Sequence, residues 1–339
     1  MGNRNNALMF AAAGAAGFWA IRALRRRATQ YSFRERVVLI TGGSRGLGLV
    51  MARELAREGA KLAICARDEQ ELQRAYEDLN WRTRVLALPC DVTDRAQVED
   101  MVRAVEAHYG QVDVLINNAG VIEVGPAEVM TVEDYEHAMK THFWGPLRAA
   151  LAVLPEMRRR REGRIVNISS IGGKISVPHL LPYCASKFAL VGLSEGLRAE
   201  LAKDSITVTT VCPGLMRTGS PRNATFKGQH RSEYAWFAIS DSLPVTSMSA
   251  ERAARQVIAA ARRGDAEVVL SIQAKLAVLF HGVFPGLTSD MLGAVNKLLP
   301  EAGGIGTDRA SGEESQSSLA PSWLTALTEK AARANNEIA

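Results

Sequence analysis

The 339-residue chain is 47% apolar, enough to bury a large core. Lys and Arg outnumber Asp and Glu by 41 to 36. The excess sits largely in two arginine runs, 25–27 and 158–161, without the interleaved aromatics of a nucleic-acid surface, which excludes that class of partner. Cys65, Cys90, Cys184 and Cys212 show neither CxxC pairing nor metal-ligand spacing, so they read as small core residues kept reduced, and no metal is expected.

In chain order, residues 1–30 come first as an apolar segment. Residues 7–21 are uncharged and rich in Ala and Gly; Arg22, Arg25, Arg26 and Arg27 follow, and only Arg4 precedes. A secretory signal carries its positive charge before the apolar run, so cleavage and export are not expected. The same asymmetry leaves the large C-terminal part in the cytoplasm. Two readings stay open: a membrane anchor over residues 7–24, and a surface-lying or unstructured leader, since the run falls short of the ~20 apolar residues a span needs. Myristoylation is not expected, because Asn6 stands where Ser or Thr would follow Gly2.

Residues 33–272 alternate short apolar runs with amphipathic helical stretches, the pattern of an α/β fold with a doubly wound parallel sheet and helices on both faces. Seven strands are predicted at 37–41, 62–66, 85–88, 112–116, 164–168, 206–211 and 267–270, each near-continuously apolar as suits burial on both faces. Asp68 is the expected cap of the second helix, with Glu71 closing a capping box. Residues 273–300 form an apolar helical extension interrupted by Pro285 and Gly286. Residues 301–339, rich in Gly, Ser and Glu, read as a flexible tail whose Ala-rich end could form a loose helix.

Directly after the first strand comes Thr41-Gly42-Gly43-Ser44-Arg45-Gly46-Leu47-Gly48, and a helix follows. Glycines here allow a tight turn, let backbone amides approach a diphosphate, and let the helix pack closely on the sheet. Further landmarks follow in order: Asp91 after the third strand, Asn117-Asn118-Ala119-Gly120 after the fourth, Ser170 after the fifth, Tyr183 and Lys187 on the next helix, and Pro213-Gly214 after the sixth. This set resembles the TGxxxGxG and YxxxK pattern of the short-chain dehydrogenases, over about two thirds of the chain. The resemblance implies a Rossmann-type sheet, Asp91 and Val92 beside the adenine, and Asn117, Ala119 and Gly120 along the cofactor cleft. It further implies Pro213, Gly214 and Thr218 near the nicotinamide carboxamide, and a role for Lys187 in holding the nicotinamide ribose.

Charge argues for NADP(H). An NAD ribose calls for a carboxylate at the end of the second strand and a 2′-phosphate calls for a cation; the sequence reads Cys65-Ala66-Arg67 there and places Arg45 within the turn. Tyr183 and Lys187 are four residues apart and share one helical face, where an ammonium favours the phenolate of a residue whose free pKa is about 10. Tyr183 is then the acid and base of carbonyl–alcohol exchange, and Ser170, thirteen residues earlier, polarises the substrate oxygen; Ser169 is its rival.

One departure stands out. Many family members carry Asn where this chain has His142, ahead of Phe143-Trp144-Gly145, and the Asn supports a proton relay to the lysine. His142 either carries that relay with altered pH dependence or fills space. The loop over 214–248 holds Phe226, Tyr234, Trp236 and Phe237, which suggest an apolar pocket and a lipophilic substrate. Two other classes are weighed: a non-catalytic NADP(H)-binding scaffold or sensor, and an epimerase or lyase using the cofactor transiently. The resemblance also implies a homo-oligomer built through the helices around the fifth strand, although a monomer stays open.

Overall fold

Apolar runs buried on both faces become seven strands, each within two residues of its expected bounds. They are β1 (Val37–Thr41), β2 (Lys61–Ala66), β3 (Val85–Pro89), β4 (Val114–Asn117), β5 (Gly163–Ile168), β6 (Ile206–Cys212) and β7 (Glu267–Val269). The structure, a computed structural model, describes residues 31–338, and Phe33–Ala339 form one unit. The apolar segment at 7–24 lies outside the described residues. The strands pair in parallel in the order β7-β6-β5-β4-β1-β2-β3. The direction of winding reverses between β1 and β4, and the crevice at the carboxyl ends of these two strands is where such sheets bind ligands. β4 starts two residues later than its apolar run because Asp113 is occupied: its carboxylate accepts from the Val37 amide at 2.9 Å and pairs with Arg36 and Arg160.

Helices α1 (Gly46–Arg57), α2 (Glu69–Asn80), α3 (Arg95–Tyr109), α4 (Val132–Met139), α5 (Gly145–Arg160), α6 (Leu181–Leu201), α7 (His230–Ser242) and α8 (Ala250–Arg263) connect the strands. α1 and α8 pack against each other. The main core joins Val98, Met101 and Val105 of α3 and Val153 and Met157 of α5 to Leu39, Leu115 and Ile165 of the strands. Each such side chain contributes about 1.5–3 kcal/mol on burial. Asp94 caps α3 by accepting from Ala96 and Gln97, and Gly110 in the left-handed region ends it.

The apolar extension forms α9 (Ile272–Val283) and α10 (Pro285–Asn296), which pack on each other and leave Leu276, Leu279, Met291 and Leu298 exposed. Among the described residues, no helix is long and apolar enough to cross a membrane. The aromatics of the 214–248 loop do not line a pocket: Phe226, Tyr234 and Phe237 are buried with Val124, Leu180 and Ala320 in a second core. Stacking edge to face with one another, they anchor the loop rather than face a ligand.

The segment read as a flexible tail carries defined structure. Ala310–Ser311 runs antiparallel to Thr225–Phe226, which pairs with Glu123–Val124 to give a three-stranded sheet, and α11 (Ala326–Ala334) follows near the end. Its attachment comes from a few small or charged residues. Ala320 and Ala332 are fully buried, and Arg309 reaches Asp134 at 2.6 Å and Glu123 at 3.2 Å, next to the buried Lys227–Asp134 pair.

Candidate active site

The glycine turn is built by steric demand. Gly42 (φ +65°) and Gly46 (φ +53°) lie in the left-handed region, and a Cβ on Gly48 would fall 2.0 Å from the Gly42 carbonyl oxygen. Thr41 Oγ1 accepts from the amides of Asn118 (3.0 Å) and Ala119 (3.2 Å), while Asn118 Nδ2 donates to the Gly42 carbonyl at 2.9 Å. These bonds lock the turn after β1 to the turn after β4. α1 starts with no side-chain cap and no acidic residue in its first turn, and its first amide, at Gly46, donates to the Asn335 carbonyl.

The two arginines of the charge argument differ in their surroundings. Arg45 pairs with Glu71 Oε1 at 2.6 Å and stands 3.5 Å from Glu337 Oε2. Glu71 therefore does not close the expected capping box with its side chain, although its amide donates to Asp68 as expected. Arg67 is exposed on the cleft wall and makes no ion pair among the described residues. Asp91 is turned back on its own backbone, accepting from the Thr93 amide at 2.8 Å.

At the other end of the cleft, α6 brings Tyr183 and Lys187 to one face. Lys187 Nζ donates to the Ile168 carbonyl at 2.9 Å and lies 5.6 Å from the centre of the Tyr183 ring. Burial pushes the Lys187 ammonium down to about 7, and burial likewise raises the Tyr183 phenol above its ordinary value, opposed by a hydrogen bond with Ser170. The rival serine has another partner: Ser169 Oγ donates to the Lys187 carbonyl at 3.0 Å, tying β5 to α6. Ser170 Oγ accepts from Gly172 at 3.0 Å.

His142 lies in a π-helical turn, Lys140–Trp144, inserted between α4 and α5. Its Nε2 accepts from the Val121 amide at 3.1 Å, which places the proton on Nδ1, 2.8 Å from Ser186 Oγ. Ser186 Oγ in turn donates a hydrogen bond to the Tyr183 carbonyl at 2.8 Å. The ring packs edge to face on Tyr183 at 5.4 Å. Burial, and then the charge of Lys187, holds the imidazole well below its usual pKa, so the ring is neutral near pH 7.

A cleft of about 680 Å³ joins the two ends. Of the residues singled out from sequence, Gly42, Ser44, Arg45, Gly46, Leu47 and Arg67 line it at one end, with Thr218 beside Gly46; Asp91, Val92, Ala119 and Gly120 line it further along; and His142, Tyr183 and Lys187 line the other end. Thr41, Gly48, Asn117, Ser170, Pro213 and Gly214 stand behind this wall. Asn117 Nδ2 donates to Asn167 Oδ1 at 2.8 Å, and the Pro213 carbonyl accepts from the Ile171 amide at 2.6 Å, holding the turn that carries Ser170. Among the lining residues not assigned to the site from sequence are Asn118 and Glu71, read there only as turn and cap residues, and Asn223 and Glu337. Asn118 could have been found, since it is the one polar residue of its turn free to reach back to the glycines. Glu337 could not, because no local pattern ties the chain end to a turn nearly 300 residues earlier. Among the described residues, no cluster of His, Cys, Asp or Glu could hold a metal, and all four cysteines are free and buried.

Comparison with known proteins follows the same lines. The short chain dehydrogenase family model matches residues 36–227. A "Dehydrogenase/reductase SDR family protein 7-like" of Anopheles gambiae is 35% identical over 243 residues, covering 70% of this chain and 75% of the relative. A putative ketoacyl reductase of Streptomyces coelicolor is 41% identical over 185 residues, covering 54% of this chain and 71% of the relative. Among solved structures, a short-chain dehydrogenase from Streptomyces avermitilis superposes with a TM-score of 0.66 at 29% identity, over 79% of this chain and 99% of the other. A short chain dehydrogenase/reductase from Burkholderia phymatum, in complex with NAD, superposes with a TM-score of 0.70 at 25% identity, over 76% and 96%.

Proposed function

The chain belongs to the short-chain dehydrogenase family, and from that premise we propose that it is an NADP(H)-dependent oxidoreductase interconverting a carbonyl and an alcohol on a lipophilic substrate. Members of this family use NAD(H) or NADP(H), and the residues present fit such a cofactor. The cradle at Gly42 and Gly48 admits no side chain without colliding with backbone, Gly46 beside it is left-handed, and a helix start without a side-chain cap faces it. The Burkholderia neighbour holds NAD. The preference for NADP(H) here rests on Arg67, the exposed cation beyond β2, and less on Arg45, whose charge Glu71 already meets.

When bound, the reduced nicotinamide supplies the hydride. The chain's own residues supply the proton and the charge stabilisation. A phenol raised by burial is fully protonated at neutral pH, the form needed to donate to an oxygen that gains negative charge during carbonyl reduction. Ser170, hydrogen-bonded with Tyr183, is placed to donate to the same oxygen. Lys187, held by the Ile168 carbonyl and brought down to about 7 by burial, offers a donor for a ribose hydroxyl beside the phenol. His142 is a positioning residue in this scheme: its two ring nitrogens tie Val121 to Ser186 beneath the Tyr183 ring. Val121, Ile122, Ile168 and Met216 give the reacting end of the cleft its apolar wall, which supports a lipophilic substrate. Exposed Leu151 and Phe188 on α5 and α6, together with Trp144 just before α5, support assembly into a homo-oligomer through the helices flanking β5.

The observation that carries the reading is that Tyr183 and Lys187 line one end of a cleft whose other end is the glycine turn, with Ser170 behind the wall against Tyr183. The experiment is to follow NADPH and NADH consumption against a panel of lipophilic ketones and aldehydes with the wild-type chain and Tyr183→Phe. Turnover that prefers NADPH and disappears in Tyr183→Phe is expected. Absence of consumption with every substrate points to a scaffold, substrate change without net consumption to an epimerase, and faster turnover with NADH removes the assigned cofactor.

A further inference from the structure

The chain end occupies part of the nucleotide cleft. The first amide of α1, at Gly46, donates to the Asn335 carbonyl at 2.9 Å, so a donor that the glycine turn would offer to a diphosphate is already engaged. Asn336, at a left-handed φ of 60°, donates through Nδ2 to the carbonyls of Ser44 and Glu71, both at 2.9 Å, and accepts from Arg74 Nε at 2.7 Å. Arg53 holds the preceding Ala334 carbonyl at 2.9 Å.

Glu337 completes the contact. Its Oε1 lies 2.5 Å from where a Cβ on Gly46 would stand, the place a bound anion would approach, and the Thr218 Cβ lies 3.9 Å from the same point. Asn223 Nδ2 donates to the other carboxylate oxygen and Arg45 Nε lies 3.5 Å from it. The side chain is only 4% exposed. A buried acidic group at a helix start with a basic and an amide partner has the chemistry of a phosphate mimic. The Glu337 side chain and a dinucleotide's diphosphate cannot share this volume.

We propose that residues 335–337 are an autoinhibitory strap: they fill the diphosphate end of the cofactor cleft, and a nicotinamide dinucleotide binds only when the strap leaves. This rests on the cofactor reading above. The strap needs little disruption to leave, because its contacts fall in the last four described residues, beyond α11. The competent fraction of the protein then sets the apparent affinity for the nucleotide.

The test measures NADPH binding by calorimetry on the full chain, on a chain ending at Ala334, and on the full-length Asn336→Ala variant, which leaves every residue of the cleft wall in place. Binding on the order of tenfold tighter in the truncated chain, which loses every bond of the strap, and tighter in the same direction in Asn336→Ala, which loses the three bonds of the Asn336 side chain, is expected. Amide hydrogen exchange over residues 326–338 of the full chain should rise when NADPH is added. Equal affinities with unchanged exchange overturn the strap and leave the cofactor reading intact. Weaker binding by the truncated chain also overturns it, making the tail a part of the cofactor site. Failure of all three proteins to bind NADPH or NADH overturns the cofactor reading and the strap with it.

Discussion

A single added methyl group separates the packing demand of the glycine turn from ordinary helix propensity. In Gly48→Ala the new Cβ would lie 2.0 Å from the Gly42 oxygen, 2.9 Å from the Gly42 carbonyl carbon and 2.7 Å from Asn118 Nδ2. Relief needs a shift of about 1 Å, and the neighbours oppose it. Gly42 is itself pinned, since a Cβ there would already stand 2.8 Å from the Ala119 Cα. Moving its carbonyl also breaks the bond from Asn118. Overpacking of this kind costs about 3 kcal/mol, against which the better helix propensity of Ala returns about 1 kcal/mol. A net loss near 2 kcal/mol is expected, with loss of nucleotide binding. Gly196→Ala is the control: it makes the same chemical change in α6, where nothing lies within 4 Å of the new atom, and should gain stability. Urea unfolding of the two variants and wild type, with nucleotide titration of each, measures both effects. Equal stability gains in Gly48→Ala and Gly196→Ala would refute the reasoning.

Two further outcomes follow from titrating groups. His142 has a depressed folded pKa, so the unfolded chain takes up its proton first, and the imidazole's contribution to stability is lost as pH falls below about 6.5. His142→Ala should destabilise the chain yet leave the pH–rate profile between pH 6.5 and 8 unchanged, and a profile that shifts in that window would return the ring to a proton-carrying role. Glu337 titrates with the opposite sign: burial pushes it up to about 7 in the docked tail, with Arg45 and Asn223 opposing and Glu71 adding, against an ordinary value near 4.5. The docked tail therefore takes up a proton, and docking weakens as pH rises from about 4.5 through 7. Between pH 6 and pH 8 the change amounts to about tenfold. Asp241, the other carboxylate coupled to Glu337, is itself pushed up to about 7 by burial and falls in the same window, so the comparison is made in an Asp241→Asn background as well. NADPH affinity of the full chain should rise more steeply with pH than that of the chain ending at Ala334; parallel slopes would remove Glu337 from the docking equilibrium.

What the sequence made legible was whatever local chemistry determines. The seven strands are runs whose side chains are apolar on both faces, and neither β1 nor β5 has another way to bury Val38, Ile40, Ile165 and Val166. The glycine turn and the spacing from Tyr183 to Lys187 are equally local, so both ends of the cleft could be named before the fold was seen. Illegible features arise where distant segments meet. Nothing near Phe226 says that Ala310 will pair with it, or that Phe237 and Tyr234 will pack inward rather than face a ligand. The tail illustrates the limit of composition: Gly, Ser and Glu cannot build a core of their own, but Ala320, Ala332 and Arg309 attach to one already formed.

The same limit bears on the charge argument. Along the chain, Arg45 and Arg67 are two cations near the adenosine end of a nucleotide, and sequence gives no reason to rank them. In three dimensions Arg45 pairs with Glu71 at 2.6 Å and stands 3.5 Å from Glu337, so its charge is met before any phosphate arrives. Release of the strap would take away one of these carboxylates and leave Glu71, so Arg45 gains capacity for an anion at the moment a dinucleotide enters. Arg67 needs no such release. On the proposed cofactor reading, discrimination between a 2′-phosphate and a free hydroxyl would fall to Arg67, while Arg45 would couple the diphosphate to the position of the tail. Exchanging Arg67 alters which nucleotide binds; exchanging Arg45 alters how firmly the tail competes with either.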